Sequence, residues 1–565
     1  MSSETGYAIA RGLADGLARN GVGVVAIGAG SRSTPAALAF LDDGRFKVFS
    51  FVDERAAAFF ALGASRAGDG PAAVLTTSGT AAAELLPAAV EAQIAGVPLL
   101  LLTADRPPEL HDVGSMQTVE QVGLLPPAVW SSDVHCYDEA MLNHAGSLAS
   151  QAVARAGDAP GPVHLNLRFR EPLVPSAETR ARIFEFPQVV AWRGSVATPD
   201  PVAVAEASDR ISGTSRGLIY VGHLEGRVGT LAEKVEGLSA ATGYPVIVEA
   251  TSRLRGRIAS AVDAAEAVVR SPFAEGHVPE VVLRIGRAPL TRNMLSWLDA
   301  SEAYQVVLAR RPPWPDPGMT VATVVTGDEG LACDALSSAV GRPMGDWKQE
   351  WLSAGRVART ALDQRLDVDF FEGTVAREVV RVIPRDAALI SSSSLPIRAL
   401  DAFTSVEAPL DAFASRGASG IDGNTSMALG VAASTGRTTV CLTGDLAFLH
   451  DVGALMTIAR HSLPLVVVVI DNAGGGIFEF LPQGGQVETD TFEDLFATSH
   501  RIDLMHAAKL YGMSFASAHD TGELRRSLEW ALTEGRSSVI RAEVSRKASV
   551  EAHRSAWAAA AEALR

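Results

Sequence analysis

The stretch Thr443–Phe478, TGDLAFLHDVGALMTIARHSLPLVVVVIDNAGGGIF, decides the fold. An apolar run from Thr438 to Thr443 reads as a buried strand and ends at Gly444-Asp445-Leu446. A helical pattern follows, then a second apolar strand from Leu465 to Ile470, closed by Asp471-Asn472 and three glycines. Strand, helix, strand is the parallel βαβ unit. It sets Asp445 and Asn472, 27 residues apart in the chain, at the carboxyl ends of adjacent strands. A carboxylate, an amide oxygen and a free backbone carbonyl at one strand edge suit a hard divalent cation such as Mg²⁺. The glycines let backbone N–H groups approach an anion. The ligand expected there is a metal-bound diphosphate. A plainer reading, an Asp ending one strand and an Asn/Gly turn ending the other, needs no ligand.

The rest of the chain sets this unit in a larger α/β protein. At 565 residues it is too long for one core, and its composition (47% hydrophobic, 20% charged) is globular. Runs such as Pro98–Leu102 and Leu463–Ile470 fall well short of the ~20 residues a membrane helix needs, so no membrane insertion is expected. The first residues read as an amphipathic helix without a signal-peptide layout. Cys136, Cys333 and Cys441 form neither a metal spacing nor a disulfide framework, which points to a cytoplasmic location. A net charge of −16 argues against a nucleic-acid partner.

Residues 1–185 alternate strands (Val22–Ile27, Val48–Val52, Ala73–Thr76, Leu99–Thr103, Val163–Leu167) with Ala-rich helices. An irregular linker near Phe184–Pro201 leads into residues 186–344, with strands near Gly217–Val221, Pro245–Glu249, Val281–Ile285 and Ala303–Leu308. Residues 345–565 hold the opening stretch and end in an Ala-rich helix. The fold class expected is thus α/β, three doubly wound parallel-sheet domains. One echo links the outer two. Asp105 follows Pro98, and Asp471 follows Pro464, by seven residues through an apolar strand.

Several other clusters sit at strand ends. Asp53-Glu54-Arg55 precedes a helix, where acids cap and favour the macrodipole; alternatively Glu54 serves a buried ligand. Thr77-Ser78-Gly79-Thr80 is a small-residue turn opening a helix, either a plain βα turn or a close approach of backbone to cofactor. Gly28-Ala29-Gly30-Ser31 lacks the third glycine of a dinucleotide fingerprint. Arg32, Arg106, Arg398 and Arg416 each lie in a Gly/Ser/Pro-rich loop after a strand. Such arginines are often solvated, but strand-end loops are where α/β enzymes bind ligands. Their forks grip carboxylates. Several of them in an acidic protein point to substrates with several carboxylates.

The Gly444-Asp445-Leu446…Asn472 pattern resembles the GDG…N signature of thiamine-diphosphate enzymes, with Leu446 for the last glycine. Ser31-Arg32-Ser33-Thr34-Pro35, Asp53-Glu54-Arg55, Thr76–Ala81 and Thr103–Leu110 narrow the resemblance, together with Ser394-Leu395-Pro396-Ile397-Arg398 and Arg416–Gly423. The set resembles the 2-succinyl-5-enolpyruvyl-6-hydroxy-3-cyclohexene-1-carboxylate synthase (MenD) family of menaquinone biosynthesis. The middle segment matches mainly in pattern.

This resemblance implies a pyrimidine-binding domain (1–185), a central domain (186–344) and a diphosphate-binding domain (345–565). The cofactor, thiamine diphosphate with Mg²⁺ or Mn²⁺, would lie between the first domain of one subunit and the third of another. The assembly would then be a homodimer at least, a homotetramer by family habit. The implied activity is that of a C–C bond-forming transferase: decarboxylation of 2-oxoglutarate on thiamine diphosphate, then 1,4-addition of the succinyl carbanion equivalent to isochorismate. Glu54 carries over as the activating carboxylate, with Arg32, Ser394 and Arg398 completing the catalytic set. Asp445, Asn472 and the carbonyl of Gly474 carry over as metal ligands. Thr77, Ser78, Ile421, Gly444, Leu446, Ile477 and Phe478 would contact the cofactor, Ile421 as the wedge beneath it. Ser31, Arg32, Arg106, Gln117, Arg292, Ser394, Arg398 and Arg416 would line the substrate site.

Three positions depart from the family pattern: Asp471 and Ser393 stand where relatives have Asn, and Arg292 where they have Lys. The alternative within enzymes is another thiamine-dependent 2-oxoacid decarboxylase or carboligase of acetolactate-synthase type. Outside enzymes it is a non-catalytic cofactor-binding relative. An intact Glu54 beside the metal motif speaks against the second, the arginine-rich loops against the first.

Overall fold

The apolar runs fold into three all-parallel sheets. The computed structural model describes residues 2–187, 190–226, 228–340 and 345–565. The first sheet has order β2-β1-β3-β4-β6-β5, with β1 Val24–Gly28, β2 Lys47–Phe51, β3 Ala72–Thr76, β4 Leu99–Asp105, β5 Trp130–His135 and β6 Pro162–Arg168. The second has order β11-β10-β9-β7-β8, with β7 Gly217–Val221, β8 Val246–Val248, β9 Val281–Ile285, β10 Tyr304–Ala309 and β11 Val321–Thr326. The third has order β13-β12-β14-β15-β17-β16, with β12 Ala388–Ser391, β13 Asp411–Phe413, β14 Thr439–Gly444, β15 Val466–Asp471, β16 Ser514–Ala518 and β17 Ser538–Glu543. The expected boundary between the second and third segments falls at residue 344, which lies outside the described residues.

Central strands such as β1, β3 and β4 are buried along their whole length, as parallel strands covered on both faces must be. Every strand expected in the first two segments is present to within about two residues. No expectation covered β5 and β11. Both are edge strands with only partial burial, and in β5 the polar residues Ser131, Ser132 and Asp133 dilute the apolar signal.

The first and third sheets share one topology, each with a switch point where the chain reverses direction across the sheet. In the third it falls between β12 and β14, with loops after both strands facing one crevice. β4 and β15 occupy the same place in the two sheets, so the echoed Asp105 and Asp471 are topological equivalents.

Within one chain the two outer units share a core. The helix Glu54–Ala67 crosses the helix Asn424–Thr435, and Phe59, Phe60, Met427 and Val431 lie in one buried cluster. Glycines allow the close approach. A Cβ on Gly430 would meet the Phe60 carbonyl oxygen, and one on Gly63 the Met427 carbonyl oxygen, both inside van der Waals contact. Gly430→Ala should therefore lower stability by about 1–3 kcal/mol through overpacking. A thermal midpoint equal to that of the wild type would refute this packing account. The C-terminal helix Arg546–Ala563 is absorbed by packing. Its Ala552, Ala556 and Ala560 share a core with Trp351 and Leu362 of the helix Trp347–Leu366.

Candidate active site

The loops that follow β12, β14 and β15 enclose a cavity of about 360 Å³ at the carboxyl end of the third sheet. Parallel pairing sets Gly444 beside Ile470, so Asp445 and Asn472 meet as the βαβ reading requires. All eleven third-segment site residues expected from sequence line the cavity: Ser394, Arg398, Arg416, Ile421, Gly444, Asp445, Leu446, Asn472, Gly474, Ile477 and Phe478.

The polar end of the cavity fits a divalent cation. Asp445 is 2% exposed, and its Oδ2 accepts the Gly474 N–H at 2.8 Å. Burial, with the charge of Asp471 adding to it, pushes the Asp445 carboxyl up to about 7. The Asn472 amide nitrogen donates to Glu372 at 3.5 Å, which leaves the buried Oδ1 without a partner. A buried carboxylate needing a counter-charge beside an unsatisfied amide oxygen is an oxygen donor set for Mg²⁺ or Mn²⁺. Gly474 (φ 146°) closes this loop tightly, since a Cβ there would strike the Ala497 carbonyl oxygen.

Two residues near this end were not singled out as ligands by the sequence. Asp471 is occupied: Arg541 holds it at 2.6 Å, and it accepts the Ala473 N–H at 3.0 Å. The Asp for Asn departure thus belongs to a salt bridge with β17, while the Asn472 amide oxygen stays without a hydrogen-bond partner. His500 approaches Asp445 with Nε2 at 3.3 Å. It comes from a loop far along the chain, with no local pattern to mark it.

The other end of the cavity is cationic. Arg398, half-buried on the helix Leu395–Phe403, donates to the Ser394 carbonyl at 2.7 Å. Burial and then the charge of Arg416 depress its pKa, so the pair waits for an anion. Ser394 opens that helix at φ 77°, and Ser393 bonds the Ser415 carbonyl at 3.2 Å. That is the local bonding the Ser393 departure left open.

First-sheet residues form a second group, and none of them lines this cavity. Glu54 opens its helix behind Asp53, whose carboxylate caps the Ala56 N–H at 3.0 Å. The capping reading therefore holds for Asp53 and leaves Glu54 free. Glu54 is half-buried against Gly28, where a Cβ would come within 2.7 Å of its Cγ. Burial, then the charges of Asp53 and Glu84, raise its pKa. Thr77 packs on Gly30 across the β1/β3 switch point. Arg106 bonds the Ser78 hydroxyl and the Gln117 carbonyl, and Gln117 donates to the Ser78 carbonyl at 2.9 Å. Arg32 is buried, its guanidinium held by the Phe169 carbonyl and Glu171, while Ser31 beside it is exposed. Arg292 is also exposed, at the start of the helix Arg292–Ala300, and does not line the cavity. The middle segment sends Leu290 there instead.

Between the two groups, Arg55 donates to the His450 carbonyl at 2.9 Å, and buried Asp451 accepts the N–H and hydroxyl of Ser426 at 2.7 and 2.9 Å. Burial pushes Asp451 up to about 7 from an ordinary 3.8. The folded state thus keeps a proton that the unfolded chain has released, and stability falls as pH rises between those values. Asp451→Asn should flatten that decline in thermal midpoint between about pH 4 and pH 7. A wild-type slope retained in the variant would contradict it.

Among the described residues no helix is long and apolar enough to cross a membrane. Residues 8–124 match the model of the thiamine pyrophosphate enzyme N-terminal TPP binding domain, and residues 398–542 that of the C-terminal TPP binding domain. The chain is 41% identical to a 2-succinyl-5-enolpyruvyl-6-hydroxy-3-cyclohexene-1-carboxylate synthase of Myxococcus xanthus, over 100% of this chain and 99% of that one. It is 39% identical to the synthase of the same name from Geobacillus kaustophilus, over 97% and 96% of the two chains. The synthase of Geobacillus thermodenitrificans is 37% identical, over 96% and 94%. With a cation site and a cationic pocket meeting at one switch point, and likeness along its whole length, the chain belongs to the 2-succinyl-5-enolpyruvyl-6-hydroxy-3-cyclohexene-1-carboxylate synthase family of thiamine-diphosphate enzymes.

Proposed function

We propose that this enzyme decarboxylates 2-oxoglutarate and adds the resulting succinyl unit to isochorismate, in a site shared by two subunits. The carrying observation is the pairing of Arg398 and Arg416 in the cavity that holds Asp445 and Asn472. Both substrates are dicarboxylates, and Arg398, whose pKa is depressed by burial and then by the charge of Arg416, gains most from an anion placed between the two guanidinium groups. A pyruvate-type substrate would leave one of the two unpaired.

Thiamine diphosphate supplies the carbanion chemistry that loss of CO₂ from a 2-oxoacid requires. The chain's own residues do the remainder. Asp445, the Asn472 amide oxygen and the Gly474 carbonyl would hold the divalent cation that accompanies the diphosphate, and Ile421, Ile477 and Phe478 would give an apolar wall. Glu54, whose carboxyl burial pushes above its ordinary value, would be the group that shares a proton with the ring nitrogen of the aminopyrimidine. Arg32, Arg106 and Gln117 stand beside Ser31, Thr77 and Ser78 at the first sheet's strand ends, where they would meet the third sheet's Ser394 and Arg398 across a subunit boundary.

Among the described residues the cavity has no first-sheet wall within one chain, which supports a homodimer as the least active unit; a homotetramer as the full assembly follows family habit. Three domains, 1–185, 186–344 and 345–565, and a cytoplasmic location complete the reading. CO₂ release from 2-oxoglutarate and from pyruvate, each with and without isochorismate, tests it. Release from 2-oxoglutarate that isochorismate accelerates is expected; equal use of pyruvate would return the chain to the acetolactate-synthase type.

A further inference from the structure

Leu290 is the middle sheet's contribution to the cavity wall, and what fixes it is a buried acid. Its backbone N–H donates to Glu249 Oε1 at 2.6 Å, and the Tyr220 hydroxyl donates to the same oxygen at 2.5 Å. Glu249 follows β8 and is 2% exposed. Its other oxygen, Oε2, has no hydrogen-bond partner and lies 3.8 Å from the Arg416 guanidinium. Arg416 in turn donates to the carbonyl of Ala288, in the loop that carries Leu290, at 3.1 Å. Its Nε is buried and unpartnered.

We propose that Glu249 is a positioning and specificity residue: from the middle sheet it holds Arg416 and the Leu290 loop so that Arg416 offers its free donors to a substrate carboxylate beside Arg398.

Two observations carry this. A separation of 3.8 Å is too long for a hydrogen bond, so Glu249 steadies Arg416 by charge and consumes none of its donors, one of which goes to the Ala288 carbonyl. A bidentate fork would have consumed them. Arg398 and Arg416 also repel each other inside the cavity. Glu249 faces Arg416 with a carboxylate, and without it only the hydrogen bond to the Ala288 carbonyl holds the guanidinium beside a like charge. The surrounding frame is rigid. Arg255 bonds the carbonyls of Val248, Leu400 and Asp401 and the Asp401 carboxylate, and Asp401 accepts the Ala250 N–H at 2.8 Å. The middle sheet thus sits at a fixed distance from the helix that carries Arg398.

The inference rests on Arg416 lining the substrate site, so the test separates the two. Glu249→Gln, Arg416→Gln and the double variant are compared as full-length holoenzyme, by KM and kcat for each substrate, thermal midpoint and thiamine diphosphate affinity. Glu249→Gln should raise KM for one dicarboxylate about 10-fold, change kcat less than about 3-fold, and leave cofactor affinity unchanged. The double variant should be no worse than Arg416→Gln alone, because the two residues act as one unit. Multiplying effects, or an unchanged KM in Glu249→Gln beside a raised one in Arg416→Gln, would overturn the role of Glu249 alone. An unchanged KM in Arg416→Gln would overturn the substrate-site reading and this inference with it. Should Glu249→Gln fail to fold, Tyr220→Phe removes only the hydroxyl donor. A KM rise of about 2-fold in the same substrate then supports the role, and no rise refutes it.

Discussion

Glu54→Gln should give a folded protein whose turnover of 2-oxoglutarate with isochorismate falls by at least about 10²-fold, the low end for a lost general acid–base group. Gln keeps the shape of the side chain and its packing on Gly28, so the fold has no reason to respond. What disappears is a proton that can be held and released. Burial is the main cause of the raised Glu54 pKa, with Asp53 and Glu84 adding to it, and an amide has no titration to raise. The Asp53 cap on Ala56 remains, so helix stability is kept apart from chemistry. Circular dichroism and the thermal midpoint should match the wild type while CO₂ release is lost. Near-normal CO₂ release in that variant would remove Glu54 from the mechanism.

The second large effect belongs to the cation. Asp445→Asn should weaken Mn²⁺ binding, read directly by paramagnetic resonance of the free ion, by more than about 100-fold. Losing a supporting residue around a metal already costs 10–100-fold, and a ligand costs more. The neutral amide no longer offsets the charge of the ion at a position that is 2% exposed. Because burial and Asp471 push Asp445 up to about 7, the wild type should also bind Mn²⁺ more tightly as pH rises through that value and the competing proton leaves. The variant should lack that dependence. Mn²⁺ affinity unchanged by the substitution would take the cation away from this strand end.

Much of this was legible in the sequence, for reasons that differ by element. The βαβ unit declared itself because parallel strands buried on both faces read as continuous apolar runs: Val466–Asp471 is buried throughout. Asp445 and Asn472 could be paired because one covalent crossover dictates their adjacency. Edge strands β5 and β11 stayed hidden, since few of their residues are fully buried and the continuous apolar run of a central strand is missing. Arg292 was carried over from the resemblance, at a position where relatives have Lys, but in this chain Leu290 lines the cavity and Arg292 does not. His500 and Arg541 reach Asp445 and Asp471 from loops and strands with no sequence signal that ties them together.

The sequence by itself determined which groups sit at strand ends, because period, Gly/Pro punctuation and crossover length are local properties of the chain. Only the tertiary structure decided which strand ends share a space. It set Asp471 on Arg541 and left the Asn472 amide oxygen unpartnered, placed Glu249 behind Arg416, and among the described residues gave the cavity no first-sheet wall within one chain. Those outcomes depend on the order in which strands pair and on how one sheet docks against another. Burial and charge balance are set by neighbours distant in the chain, and no local pattern encodes them.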